Sequence, residues 1–181
     1  MKQFSIVIIV LLAIVGIGAG IIIFSGGDND PNVVSSEETM GMGGEMAPAF
    51  ALKNYEGEEI SSDSFLGKPH ILNTWAVWCP FCVEELKDFA KLQEEFGDAI
   101  TIVSINRAES LSKAKTYTDD LGVSDSIVFL MDPSDSFYKS IGAFTMPETL
   151  FVSAEGKVLR HKRGFMRLAE MEQAVRDLFG L

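Results

Sequence analysis

The chain has two cysteines, and they stand three positions apart in Trp78-Cys79-Pro80-Phe81-Cys82. Thiols so spaced can exchange with a disulfide, supply part of a metal site, or close a short structural loop. A bridge across two residues removes little chain entropy, so it makes a weak staple. A zinc site needs about four ligands, and the chain offers no second cysteine pair and only His70 and His161. Redox chemistry fits the pair best. A thiol at a helix N-terminus meets unpaired N–H groups and the positive end of the helix dipole, which favour the thiolate. Cys79 is therefore expected to be an acidic, accessible nucleophile, with Cys82 one turn behind it to close a reversible disulfide.

The flanking pattern supplies that helix N-terminus. His70-Ile71-Leu72-Asn73-Thr74-Trp75-Ala76 reads as a central strand, apolar on both faces. Pro80 stands near the first helical position, where a missing N–H is tolerated. Val83, Leu86, Phe89, Ala90, Leu92 and Phe96 then recur at helical spacing, and Gly97 ends the run. Further strands are expected at 59–61, 100–105 and 127–131, with helices over about 110–121, after Asp132-Pro133-Ser134, and over about 167–179. Residues 148–152 and 158–161 read as a hairpin. Strand–helix alternation closed by a hairpin and helix predicts an α/β domain, a mixed sheet covered on both faces.

The rest of the chain bounds where such a device works. From Phe4 to Phe24 run 21 residues without a charge. As a helix they span about 31 Å, the thickness of a hydrocarbon core. Ile21-Ile22-Ile23-Phe24 continues past the small residues that would imitate a cleavage site, so 1–24 is read as an uncleaved transmembrane anchor. Lys2 precedes the span, and acids follow it with no base until Lys53, which leaves the N-terminus cytoplasmic and the domain outside. Residues 25–46, rich in glycine and acid, read as a flexible tether reaching roughly 26 Å. The domain proper is then 47–181. Outside the cytoplasm thiols tend to be oxidised, and one close pair with no other cysteine suits a redox device. The net charge of −11 argues against nucleic acid as a partner.

Ala47-Pro48-Ala49-Phe50-Ala51-Leu52, Leu66-Gly67-Lys68-Pro69, Leu72-Asn73-Thr74-Trp75-Ala76-Val77-Trp78-Cys79 and Met146-Pro147-Glu148-Thr149 occur in that order. With the CxxC at its strand-to-helix junction, residues 46–180 resemble the thioredoxin fold. More narrowly they resemble membrane-anchored TlpA/ResA-like thiol–disulfide oxidoreductases of the redoxin group. The resemblance implies that Cys79 attacks a substrate disulfide and Cys82 resolves the mixed disulfide. It implies a cis bond before Pro147, standing against the cysteines, with Met146 beside it to pair with an extended substrate. Trp78, Pro80 and Phe81 would join them as the substrate rim, with Trp75 in the core. Glu85 matches a glutamate credited with proton transfer in related extracytoplasmic reductases. A carboxylate near a thiol raises the thiol's pKa, and burial can shift the carboxyl itself toward neutrality. Where ordinary thioredoxin has a buried aspartate, this chain has Asn73, which cannot shuttle protons.

The leading reading is a reductant of protein disulfides, fed by a membrane thiol-transfer donor, with apocytochrome c among the conceivable substrates and no cofactor or metal required. Pro80-Phe81 lacks the histidine found between the cysteines of oxidising relatives, which counts against the alternative of disulfide insertion. A peroxidase would need a hydroxyl three residues before Cys79, where Ala76 stands. A copper(I) chaperone would use Cys79, Cys82 and His161. His70 and His161 otherwise read as structural or solvated residues.

Overall fold

The computed structural model describes residues 43–181. The anchor expected over 1–24 and the tether up to residue 42 lie outside the described residues. Among the described residues no helix is long and apolar enough to cross a membrane.

Seven strands form one sheet: β1 (Ala51–Asn54), β2 (Glu59–Ser61), β3 (His70–Trp75), β4 (Thr101–Arg107), β5 (Val128–Asp132), β6 (Glu148–Val152) and β7 (Val158–Arg163). Their order is β2-β1-β5-β4-β3-β6-β7. The pairs β3–β4 and β4–β5 are parallel, and the other neighbours are antiparallel. The helices are α1 (Pro80–Phe96), α2 (Leu111–Leu121), α3 (Ser136–Ser140) and α4 (Leu168–Phe179). This is the expected mixed sheet with helices on both faces.

Strand alternation sorts the core into two layers. Ile71 and Trp75 of β3 join Leu86, Phe89 and Leu92 of α1, Ala114 of α2, and Met171, Ala174 and Val175 of α4. Leu72 points the other way, with Val103, Ile105, Leu130 and Leu150, against Phe137 of α3 and Ile141. Burying each large apolar side chain contributes about 1.5–3 kcal/mol, so the two layers fix β3 between them. Its C-terminal end, where the cysteine loop begins, is thereby held still.

Sequence reasoning missed β1. Only Leu52 of its four residues is buried, so no alternation marks it. Asn54 makes the following turn instead: its Oδ1 accepts from the N–H groups of Glu56 and Glu58 at 3.1 and 2.9 Å. At the other edge, Gly44 N–H donates to the Val158 carbonyl at 2.7 Å and Val158 N–H to the Glu45 carbonyl at 2.8 Å, so the residues just before Ala47 pair with β7.

Candidate active site

Cys79 is the N-cap of α1, with extended backbone angles, and its sulfur accepts from the Cys82 N–H at 3.2 Å. Pro80 follows at the start of the helix, so the cap has no amide there to satisfy. Cys79 and Cys82 are joined as a disulfide, with Cα atoms 5.4 Å apart. The leading sulfur differs from expectation in one respect. Cys79 is only 2% exposed and Cys82 1%, so the bridge lies below the surface rather than on it. Access is through a groove of about 430 Å³ that Cys79 lines together with Trp78, Pro80, Phe81 and Met146. Trp78 and Phe81 are each 59% exposed at its rim, and Trp75 is fully buried beneath. Ala76 is also buried and offers no hydroxyl to a peroxide.

The opposite wall is the segment before β6. The Met146–Pro147 bond is cis, the geometry that the resemblance implies. Pro147 is buried and Met146 half-buried, with Met146 Sδ 4.0 Å from the Thr74 hydroxyl. Phe144, 72% exposed, adds a third aromatic to the rim.

Glu85, three residues beyond Cys82 and so one turn further along the same helix, is 1% exposed. Its Oε2 accepts from Asn73 Nδ2 at 2.9 Å and its Oε1 from the Met166 N–H at 3.0 Å. Burial drives its proton affinity up, these two bonds only partly oppose it, and the carboxyl is pushed to about 8. Its neighbour Glu84 is solvated and pairs with Lys87 on the surface. Asn73 also donates to Thr149 Oγ1 at 3.1 Å and lies beside Ser104 in the sheet register. The Asn73 amide thus orients the Glu85 carboxyl.

Sequence reasoning missed a second buried acid. Glu148 opens β6, and its Oε1 accepts from the N–H groups of Phe144 and Thr145 at 2.8 and 2.9 Å. Its Oε2 lies 2.7 Å from His161 Nε2, both side chains fully buried. Burial alone would raise this carboxyl, but His161 and the two amides outweigh it and hold it below the usual range. An acid and a histidine on neighbouring antiparallel strands were the available signal. His161 is therefore a structural residue, and its occupied Nε2 speaks against the copper reading. His70 is buried too, its Nδ1 at 3.0 Å from the Lys68 carbonyl, and burial lowers its proton affinity. On the groove wall, Arg107 makes two bonds to Asp135, at 2.8 and 2.6 Å, and lies 3.5 Å over the Tyr138 ring. Tyr138 in turn donates its hydroxyl to the Thr145 carbonyl at 2.8 Å.

Comparison with known proteins adds sequence relationship to this geometry. Residues 43–161 match the sequence model of the AhpC/TSA family. The thiol:disulfide interchange protein DsbE of Allochromatium vinosum is 32% identical over 123 residues, 65% of this chain and 64% of that protein. The thiol-disulfide oxidoreductase ResA of Halalkalibacterium halodurans is 25% identical over 164 residues, 90% of this chain and 88% of that protein. A solved structure, a thiol:disulfide interchange protein of the thioredoxin family from Chlorobium tepidum, superposes with a TM-score of 0.66 at 26% identity. That match covers 76% of this chain and 97% of the other.

Proposed function

The chain belongs to the AhpC/TSA family and is a thiol–disulfide oxidoreductase of the DsbE/ResA type; from that premise we propose that it reduces protein disulfides outside the cytoplasmic membrane. The anchor over 1–24 and the tether that follows it hold the catalytic domain near the membrane, with the N-terminus cytoplasmic. The observation that carries the reading is a helix-capping disulfide with a buried, proton-holding carboxyl one turn behind it.

In the reduced protein, the Cys79 thiolate attacks one sulfur of a substrate disulfide. A bond forms between Cys79 and that sulfur, the substrate S–S bond breaks, and the second substrate sulfur leaves as a thiolate. Cys82 then gives up its proton and attacks Cys79, closing the Cys79–Cys82 bridge and releasing the first substrate sulfur. Two electrons reach the substrate, whose two thiolates take their protons from solvent, so a membrane thiol-transfer donor must return two electrons for the next cycle. Glu85 is the group that takes the Cys82 proton and gives it back on reduction. A carboxyl near 8 is suited to do both at neutral pH. Trp78, Phe81 and Met146 flank an extended substrate segment, which pairs with backbone beside Pro147.

Two features favour the reductive direction: no histidine separates the cysteines, and Glu85 supplies a proton reservoir. Relatives named thiol:disulfide interchange protein and thiol-disulfide oxidoreductase support exchange chemistry at this pair, and the clients proposed for it are extracytoplasmic protein disulfides, that of apocytochrome c among them. The test is a trap. Replacing Cys82 by serine strands substrates on Cys79, and the captured proteins name the clients. Absence of any mixed disulfide in cells, with Cys79 reactive in vitro, contradicts the proposal. The measured potential decides direction: near −270 mV marks a thioredoxin-like reductant, near about −120 mV a strong oxidant.

A further inference from the structure

The loop Ala76-Val77-Trp78 carries the leading cysteine into its cap and presents Trp78 to the groove. One of its amides is held from within, Cys79 N–H to the Ala76 carbonyl at 3.1 Å. Another is held from a different part of the chain: Val77 N–H donates to Glu109 Oε2 at 2.8 Å. Glu109 lies between β4 and α2, and its side chain is only 5% exposed. The same Oε2 accepts from Asn106 Nδ2 at 2.9 Å, and Oε1 pairs with Lys113 Nζ. Burial would favour the neutral acid, but these three donors outweigh it and keep the carboxyl below the usual range.

The backbone next to Glu109 gives an independent observation. Ala108 takes a φ of 54°, in the left-handed region that residues with a Cβ seldom occupy. It is held there by its N–H donating to the Asp132 carbonyl at 2.9 Å. A strained residue that the fold retains beside a reactive loop is a pointer to function. Here it turns Glu109 back toward the loop that precedes Cys79.

We propose that Glu109 is a positioning residue: its carboxylate grips the Val77 amide and so sets the loop that presents Trp78 and Cys79 to a protein disulfide. The inference rests on the oxidoreductase reading above. The carboxylate exerts two opposed effects. As an acceptor it fixes the loop, and misplacing a reacting group by a small distance can cost a large factor in rate. As an anion it disfavours a nearby thiolate. Glutamine separates the two, because it keeps an acceptor oxygen and loses the charge.

The test compares full-length reduced wild type, Glu109→Gln and Glu109→Ala reacting with a disulfide-bonded peptide, with folding checked by circular dichroism. Glu109→Ala should slow by about tenfold, equivalent to one hydrogen bond's worth of misalignment, and Glu109→Gln should keep the rate within about twofold. A wild-type rate in Glu109→Ala overturns the inference. So does an equal change in both variants, which would assign the effect to charge. An unreactive wild type would instead sink the oxidoreductase reading itself. Should Glu109→Ala not fold, hydrogen exchange of the Val77 amide in the wild type decides, with protection expected and free exchange contradicting the grip.

Discussion

Glu85 and Glu148 are both buried, one on each side of the sheet. Glu85 reaches in from α1 on the face of Ile71 and Trp75, and Glu148 stands on β6 on the face of Leu72 and Leu150. Burial opposes ionisation of both, yet Glu85 is pushed up to about 8 while Glu148 lies below the ordinary range. Glu85 lies deeper in the protein than Glu148, and their partners differ as well. Glu85 has two donors, one backbone and one side-chain amide, with Glu170 adding like charge. Glu148 has two backbone amides, the Thr145 hydroxyl at 3.3 Å and a histidine. Depth of burial, donor number and charge together decide whether a buried carboxyl keeps its proton. The sparsely bonded acid, one helical turn beyond Cys82, holds its proton to about pH 8. The densely bonded one is a fixed strut for the wall that faces Cys79.

The comparison breaks most visibly at Glu148. Glu148→Leu strands His161 and the 144–145 amides, and should cost about 3–5 kcal/mol of stability, the range for removing one member of a buried pair. Urea unfolding of the disulfide form measures it, and a loss under about 1 kcal/mol would show that Glu148 is no strut.

The next test is the pH dependence, where the two acids have opposite signs. Glu85 is raised in the folded state, so the folded protein binds more protons than the unfolded chain above about pH 4.5. Stability therefore falls as pH rises toward 8, on the order of 3 kcal/mol between pH 5 and 7 from this group. Glu148 is depressed, so its contribution is present above the unfolded value and is lost as pH falls through the folded one. Glu85→Gln should flatten the upper arm and leave the acid arm in place. Retention of the upper slope in that variant would mean Glu85 is not the proton-holding group.

Asn73→Ala sharpens the comparison by taking one donor from Glu85 and one from Thr149. Unsatisfied buried acceptors cost about 1–3 kcal/mol. The Glu85 carboxyl should titrate higher still, because a bond that lowered it is gone. Isotope-edited infrared titration of the carboxyl reads this directly, and a downward move would contradict the assigned role. The smallest stability effect belongs to Trp78, which is exposed and has no bond to either acid. Trp78→Ala should stay within about 0.5 kcal/mol of wild type, while its reaction with a peptide disulfide slows. An unchanged rate would remove Trp78 from the substrate rim.

What was legible in the sequence was local. β3 and α1 announce themselves by continuous apolar residues and helical spacing, which tie Cys79 to Cys82, while Glu85 was singled out by the family resemblance. Glu148 with His161, and Glu109 with Val77, depend on contacts across 13 and 32 positions. No short-range pattern encodes such pairs; strand register and loop path decide them. Asn73 shows the middle case. Its chemistry excluded proton transfer from the sequence, but its grip on Glu85 needed the fold. The burial of Cys79 was also beyond reach, since the groove walls come from separate stretches of chain.

The central claim is that Cys79 and Cys82 form a reversible couple in which Cys79 is the acidic partner. Thiolate absorbance of the reduced protein, followed against pH and paired with equilibration in dithiol buffers, tests it most directly. The account predicts one sulfur ionising well below the free-cysteine value of about 8.5, absent in Cys79→Ser, with full interconversion of dithiol and disulfide. Ionisation at or above that value, or a bridge that no dithiol opens, would contradict it.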